Sequence, residues 1–397
     1  MKSKFLVMSL SLFVFIFLLS SERIINLNSL SENSGIQITS GLISNTKIHL
    51  SLSEIYISEG INYTDVINFT NGDLFSEEIG KSRVPYYRKM IVIPDKGNPV
   101  ITVSNIKRIK VDGYYNIQPT QHPLPEIRNY QPQFVKDEVH YTTDAFYPGY
   151  DANVMETGII RNSRYATIGI FPLQYNPVTK EIFIITECDI TISFEGKGEN
   201  EIEKKIPFSK RWESIYRMMF WNWDYVKDSF KSLPNPITGA LSWSPDTWFN
   251  EGDYLILVVS DEMTEKIKEL AAWRTKLGYT PVIKQVPNTI TPTQLRDTIA
   301  YCYLNWSIPL DFVLIVGEGE ESEVTNHIEC HRYYDGGSGY GIEPSYIRND
   351  HFYSLMPDSL DRHSDLFVSR FPAEDSIELD IWIDKTINYE MSPPSGE

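Results

Sequence analysis

A chain of 397 residues with 42% hydrophobic and 13% aromatic content is long enough for two folded units and too apolar for a disordered protein. Its formal net charge of -17 excludes nucleic acid as a natural partner, because a phosphate backbone is held by clustered Lys and Arg that release counterions.

At the N-terminus, Lys2 and Lys4 precede an apolar run from Phe5 to Leu19. That run is shorter than the roughly 20 residues a membrane-spanning helix needs and suits a secretory signal over 1–21, with an uncleaved anchor as the alternative. Export predicts a secreted or cell-surface protein. Residues 22–46 form a polar lead, and 47–231 carry short alternating runs separated by Pro, Gly, Asn and Asp. The runs are Lys47–Ile57, Lys89–Pro94, Val100–Val111, Ala166–Pro172 and Glu181–Phe194. Strands at that density predict a β-sandwich or jelly roll. It closes on an aromatic, helix-compatible stretch, 206–230, and a Pro/Ser/Asn-rich linker at 232–252 follows.

From Asp253 the pattern becomes βαβ. Tyr254–Val259 is a continuous apolar run suited to a strand buried on both faces of a parallel sheet. Ser260 or Asp261 caps a helix with Met263, Ile267, Leu270 and Leu277 on one face, which Gly278 ends. Thr280–Val286 is the second strand, and Thr291-Pro292-Thr293-Gln294 a capping box for the next helix. Asp311–Gly317 and Asp365–Phe371 are the third and fourth strands. A last helix starts near Asp375, closed by Glu378, and presents Leu379, Ile383 and Ile387. The predicted architecture is multidomain: a β-rich, sandwich-like domain followed by an α/β parallel-sheet domain at 253–397 that looks cut short.

Chemistry concentrates in the long irregular segment Glu318–Ser364, which leaves the carboxyl end of the third strand, where open parallel sheets bind ligands. Glu318 and Asp350 are candidate oxygen ligands for a structural calcium ion. His327, Cys330 and His331 form a compact cluster, but three ligands within five residues, with no second pair elsewhere, are a weak zinc signal and read as loop. Gly337-Ser338-Gly339-Tyr340-Gly341 lacks the strand-to-helix setting of a phosphate loop, so no nucleotide is expected. Cys188 and Cys302 fall on apolar faces and read as small buried hydrophobes. Serine-hydrolase elbows and H-E-x-x-H zinc motifs do not occur in the sequence.

Taken in order, Tyr254–Val259, Ala272-Trp273-Arg274 with Gly278, Val313-Leu314-Ile315-Val316-Gly317-Glu318, Asn349-Asp350-His351-Phe352-Tyr353, Phe367-Val368-Ser369-Arg370-Phe371 and Asp384–Glu390 resemble the start of a gingipain-type (family C25) cysteine peptidase domain. Phe171-Pro172-Leu173-Gln174-Tyr175-Asn176-Pro177 and Ile190-Thr191-Ile192-Ser193-Phe194 are similar to that family's propeptide. Glu318 stands where the family usually has Asp, and Ser369 where it usually has Gly.

The resemblance implies a secreted zymogen of a cysteine-type endopeptidase acting on protein or peptide substrates, with a β-rich propeptide as intramolecular inhibitor and no required cofactor. It further implies a catalytic His in Gly-His-Gly and a later Cys, neither of which occurs here; both are expected beyond Glu397, so no catalytic residue is assigned and the chain alone should be inactive. Arg161 and Arg164 are the candidates for the inhibitory contact, and cleavage at 232–252 for activation. The competing expectation is a non-catalytic surface adhesion or scaffold protein on the same fold.

Overall fold

Strand-forming Ile, Val, Tyr and Thr dominate the first half of the chain, and the computed structural model assembles them into antiparallel sheets. It describes residues 23–27, 34–59, 65–69, 72, 74–124, 131–203, 206–231, 251–320, 326–335, 345–356 and 363–394. The expected signal segment, nearly all of the linker and the Gly-rich run at 337–341 lie outside the described residues.

The strands are β1 (Arg23–Asn26), β2 (Gly35–Leu42), β3 (Asn45–Ser51), β4 (Glu54–Glu59), β5 (Asp65–Phe69), β6 (Leu74–Phe75), β7 (Pro85–Val92) and β8 (Asn98–Val111). A short helix α1 (Glu138–Thr142) precedes β9 (Ala152–Ile160), β10 (Ser163–Ile170), β11 (Leu173–Asn176) and β12 (Glu181–Glu195). One sheet runs β11-β12-β3-β2 with β8 also on β12, a second runs β6-β7-β10-β9, and a third β1-β4-β5. Between them lies one core built on the period-2 residues Ile182, Ile184, Cys188, Ile190 and Ile192 of β12, beside Ile48 and Leu50 of the paired strand β3 and together with Ile91, Ile168 and Ile170 of the second sheet.

Two expectations change here. Residues 22–46 are not merely a polar lead: β1 and β2 lie within them, β2 pairing with β3 as Ile36↔Leu50 and Ile38↔Ile48. β2 pairs with β3 alone, and a half-exposed edge strand needs few apolar residues, which is why its pattern reads as polar. The run Lys47–Ile57 splits at Leu52–Ser53 into β3 and β4, which join different sheets.

The aromatic stretch is helical, as α2 (Glu213–Met219) and α3 (Trp223–Lys231) after a 3₁₀ turn at Lys210–Trp212. Trp212, Tyr216, Phe220, Trp223 and Phe230 pack on Val92 and Tyr165 of the β domain.

The second domain contains β13 (Tyr254–Val258), α4 (Asp261–Lys276), β14 (Pro281–Gln285), α5 (Pro292–Asn305), β15 (Phe312–Val316), the hairpin β16 (His331–Asp335) and β17 (Ser345–Asn349), β18 (Phe367–Phe371) and α6 (Ser376–Met391). β14-β13-β15-β18 form an all-parallel sheet. Because successive side chains alternate faces, Leu255, Leu257, Val313 and Ile315 pack on α5, while Ile256, Val258, Leu314 and Val316 pack on α4 and α6. α4 starts at Ser260, whose side chain accepts from Met263 N, and Gly278 (φ 87°) follows its end. Leu277 does not share the buried face: it is the C-cap residue and is 46% exposed. The segment 318–364 is less irregular than its composition suggests, since β16 and β17 pair antiparallel within it.

Candidate active-site edge and interdomain socket

From β13 the chain moves to β14 on one side, and from β15 to β18 on the other, so the order reverses between β13 and β15. Ligands in open parallel sheets bind at the carboxyl ends beside such a reversal. Glu318 sits there. Gly317 precedes it with φ 145°, and a Cβ at Gly317 would meet Asn326 O at 2.9 Å, so only glycine allows residues 326–330 to run alongside the strand end. Glu318 N donates to Asn326 O, Ile328 N to Glu318 O and Cys330 N to Gly319 O, at 2.9–3.0 Å.

Asp350 meets Arg370 of β18 in a two-pronged pair, Nε to Oδ2 at 2.8 Å and Nη2 to Oδ1 at 2.7 Å. The same guanidinium donates through Nη1 to the carbonyls of Gly317 (2.9 Å) and Ile328 (2.8 Å), so it staples the carboxyl edge to the loop. Glu318 Oε1 accepts from the turn amides of Gly319 (2.8 Å) and Glu320 (3.3 Å). A calcium shell needs six to eight oxygens. Here both Asp350 oxygens are committed to Arg370, so among the described residues that carboxylate is not presented to an ion.

The His327, Cys330 and His331 cluster is likewise dispersed in role. His331 stacks on Phe352 with ring centroids 3.8 Å apart. Burial pushes the Cys330 thiol up to about 11 despite the nearby Arg370, with Asp350 adding to the rise. Burial also pushes Cys188 to about 12 and raises Cys302, and none of the three is in a disulfide.

The opposite, amino edge of the sheet is where the two domains meet. β9 and β10 form a hairpin whose two-residue loop is Arg161–Asn162, with Arg161 at φ 55°, the positive φ that the first position of such a turn takes. Its side chain is 1% exposed. The guanidinium donates through Nη1 to Leu310 O (3.1 Å) and Asp365 O (2.5 Å), lies with Nη2 3.1 Å from Asp311 Oδ1, and faces the rings of Trp212 and Tyr303 at 4.9 and 5.3 Å. Its backbone N–H donates to Asp365 Oδ1 at 2.5 Å. Asp253, Asp311 and Asp365 stand just before β13, β15 and β18, a row of carboxylates along this edge. Arg211 Nη2 pairs with Asp253 (3.1 Å) and Ser209 Oγ donates to Asp311 Oδ2 (2.7 Å). Burial pushes the Asp311 carboxyl up to about 6 against the pull of Arg161 and Ser209. Arg161 is held charged: burial opposes it, and Tyr303, Asp311, Tyr216 and Asp365 outweigh burial.

Arg164, the second candidate, turns into its own domain and donates to the carbonyls of Pro94, Gly97 and Glu199 at 2.5–3.1 Å. The arginines are thus separated in role. The acidic row and Arg370 escaped the sequence reading. An Asp before each apolar strand is visible in the sequence, but nothing local shows what it faces.

Residues 26–224 match the family profile Propeptide C25, and residues 247–397 match Peptidase family C25. The chain belongs to the gingipain-type C25 peptidase family. Gingipain R2 of Porphyromonas gingivalis is 24% identical over 373 residues, covering 88% of this chain and 45% of that protein. Lys-gingipain of the same organism is 21% identical over 333 residues, covering 79% of this chain and 17% of that protein. The C25 chain therefore spans less than half the length of these relatives. The solved complex of Porphyromonas gingivalis RgpB pro- and mature domains shares 26% identity with a TM-score of 0.42, covering 48% of this chain and 99% of that one. The structure describing zymogenic latency of gingipain K shares 21% with a TM-score of 0.40, covering 44% of this chain and all of that one. In this C25 chain, the propeptide-matching region packs directly on the peptidase-matching region through the Arg161 hairpin. Among the described residues, no helix is long and apolar enough to cross a membrane.

Proposed function

We propose that the chain is the propeptide and first catalytic portion of an exported cysteine-type endopeptidase zymogen whose nucleophilic Cys and partner His lie in sequence that follows Glu397. The observation that carries the reading is the tandem of C25 propeptide and C25 peptidase matches in one chain. Thiol proteolysis needs a thiolate beside an imidazolium and backbone N–H donors for the oxyanion. The carboxyl edge around Glu318 supplies sheet and cleft wall for that chemistry, while the raised thiols at 188, 302 and 330 argue that the reagents come from elsewhere. Protein or peptide chains are the substrates on this reading, the propeptide is the intramolecular inhibitor, export follows from the Lys2–Leu19 segment, and activation is a cut within 232–252.

The test is to express the reading frame extended past residue 397 and assay hydrolysis of peptide substrates after propeptide removal. Turnover abolished by iodoacetamide is expected. A following sequence that ends without a Gly-His-Gly and a later Cys, with no hydrolysis, would favour the adhesion or scaffold protein instead.

A further inference from the structure

We propose that the α/β domain carries a guanidinium-binding socket at the amino edge of its sheet, and that Arg161 seated in it is an anchor for the β domain, separate from the carboxyl edge where catalysis is built. The proposal rests on the propeptide reading only for its biological setting; its chemistry stands on this chain alone.

Three observations carry it. The socket is shaped for a planar, multidentate cation. The carbonyls of Leu310 and Asp365, the carboxylates of Asp311 and Asp365 and the Tyr303 ring of the α/β domain surround the hairpin tip, while Trp212, packed on the β domain, also faces the guanidinium. Lysine, a compact point charge with a different donor geometry, cannot reproduce such a set. Second, the tip is held by main chain as well as side chain: the buried Arg161 donates its backbone N–H to Asp365 Oδ1 at 2.5 Å. Third, the contact lies at the wrong end of the strands to touch substrate. β15 is five residues long, and at about 3.3 Å per residue Asp311, just before it, stands about 20 Å from Gly317, just after it.

The junction also has the makeup of a surface that can part. Among the described residues Asn162 Nδ2, Trp212 Nε1 and Tyr303 OH are buried there without a hydrogen-bond partner, and such groups suit bridging water. A buried charge in such a seam favours one docking geometry and makes loss of its partner costly. The domains therefore stay together after the connection between them is cut, until the Arg161 contact itself is broken.

The experiment places a sequence-specific protease site within 232–250 of the full chain, cuts it, and measures dissociation of the two pieces by dilution and size-exclusion chromatography. The uncut variants are first checked for cooperative melting and an unchanged circular dichroism spectrum. The cut parent is expected to co-elute at micromolar concentration, as is the control Arg217→Ala, whose side chain is exposed. Arg161→Lys is expected to weaken the complex at least about 100-fold. Arg161→Ala does the same if it folds, and the milder Arg161→Lys decides the matter if it does not. A cut parent that falls apart at micromolar concentration, or an Arg161→Lys complex within about threefold of the parent, overturns the proposal. The readout is association, so a failed peptidase assay leaves it unmoved.

Discussion

Ser82 donates its backbone N–H to His140 Nε2 at 3.2 Å, and its hydroxyl lies 2.8 Å from the same nitrogen. Nε2 must therefore carry a lone pair, and a proton there would remove the acceptor. Burial holds His140 below its ordinary value of 6.5; Asp137 and Glu78 raise it and Lys81 opposes them. A depressed folded-state value means that its contribution is complete above about 6.5 and is lost as pH falls from there through the lower folded-state value. Asp311 has the opposite sign: pushed up from 3.8 to about 6, it takes up a proton earlier in the folded chain and adds stability below 6. Comparing urea midpoints at about pH 7.5 and 5.5 for the parent and His140→Gln isolates the histidine. The parent is expected to lose more stability on acidification than the variant, and equal losses would remove His140 from the account. At this scale the sequence was partly legible. Arg161 stood out as a basic residue in a polar loop, but its partners Leu310 and Asp365 lie 149 and 204 positions away, and Arg164 looked the same until the fold turned it inward.

Helix starts were the most legible elements, because a cap is a local transaction between a side chain and amides two or three residues on. Thr291 accepts from Gln294 N at 3.3 Å, while Gln294 Oε1 accepts from Thr291 N at 3.1 Å, the reciprocal pair that Thr-Pro-Thr-Gln predicts. Asp375 caps α6 through the amides of Ile377 and Glu378. Thr291→Ala is expected to lower stability by about 1 kcal/mol and Thr291→Ser to leave it near the parent. Chemical denaturation checks both, and an unaffected alanine variant would show that α5 is held by packing of Leu295 and Ile299 alone. Edge strands were the least legible. β2 alternates weakly because one of its sides is unpaired, and β3 and β4 read as one run because the chain changes sheets without a Pro or Gly at Leu52–Ser53.

For the molecule as a whole, the change from period-2 runs to continuous apolar strands with 3.6-period helices separated the β domain from the α/β domain without any structure. What pattern could not give was the order β14-β13-β15-β18, because identical buried strands are interchangeable until the connections are traced. That order places Glu318 beside the strand reversal and the Asp253, Asp311 and Asp365 row on the far edge, so it separates a candidate catalytic side from an anchoring side. The central proposal is that this chain holds the scaffold and the inhibitor of a thiol peptidase but not its reagents. Peptide hydrolysis by purified chain ending at Glu397, assayed with and without iodoacetamide and after a cut within 232–252, tests it most directly. No turnover is predicted under any of these conditions; iodoacetamide-sensitive cleavage would contradict the account.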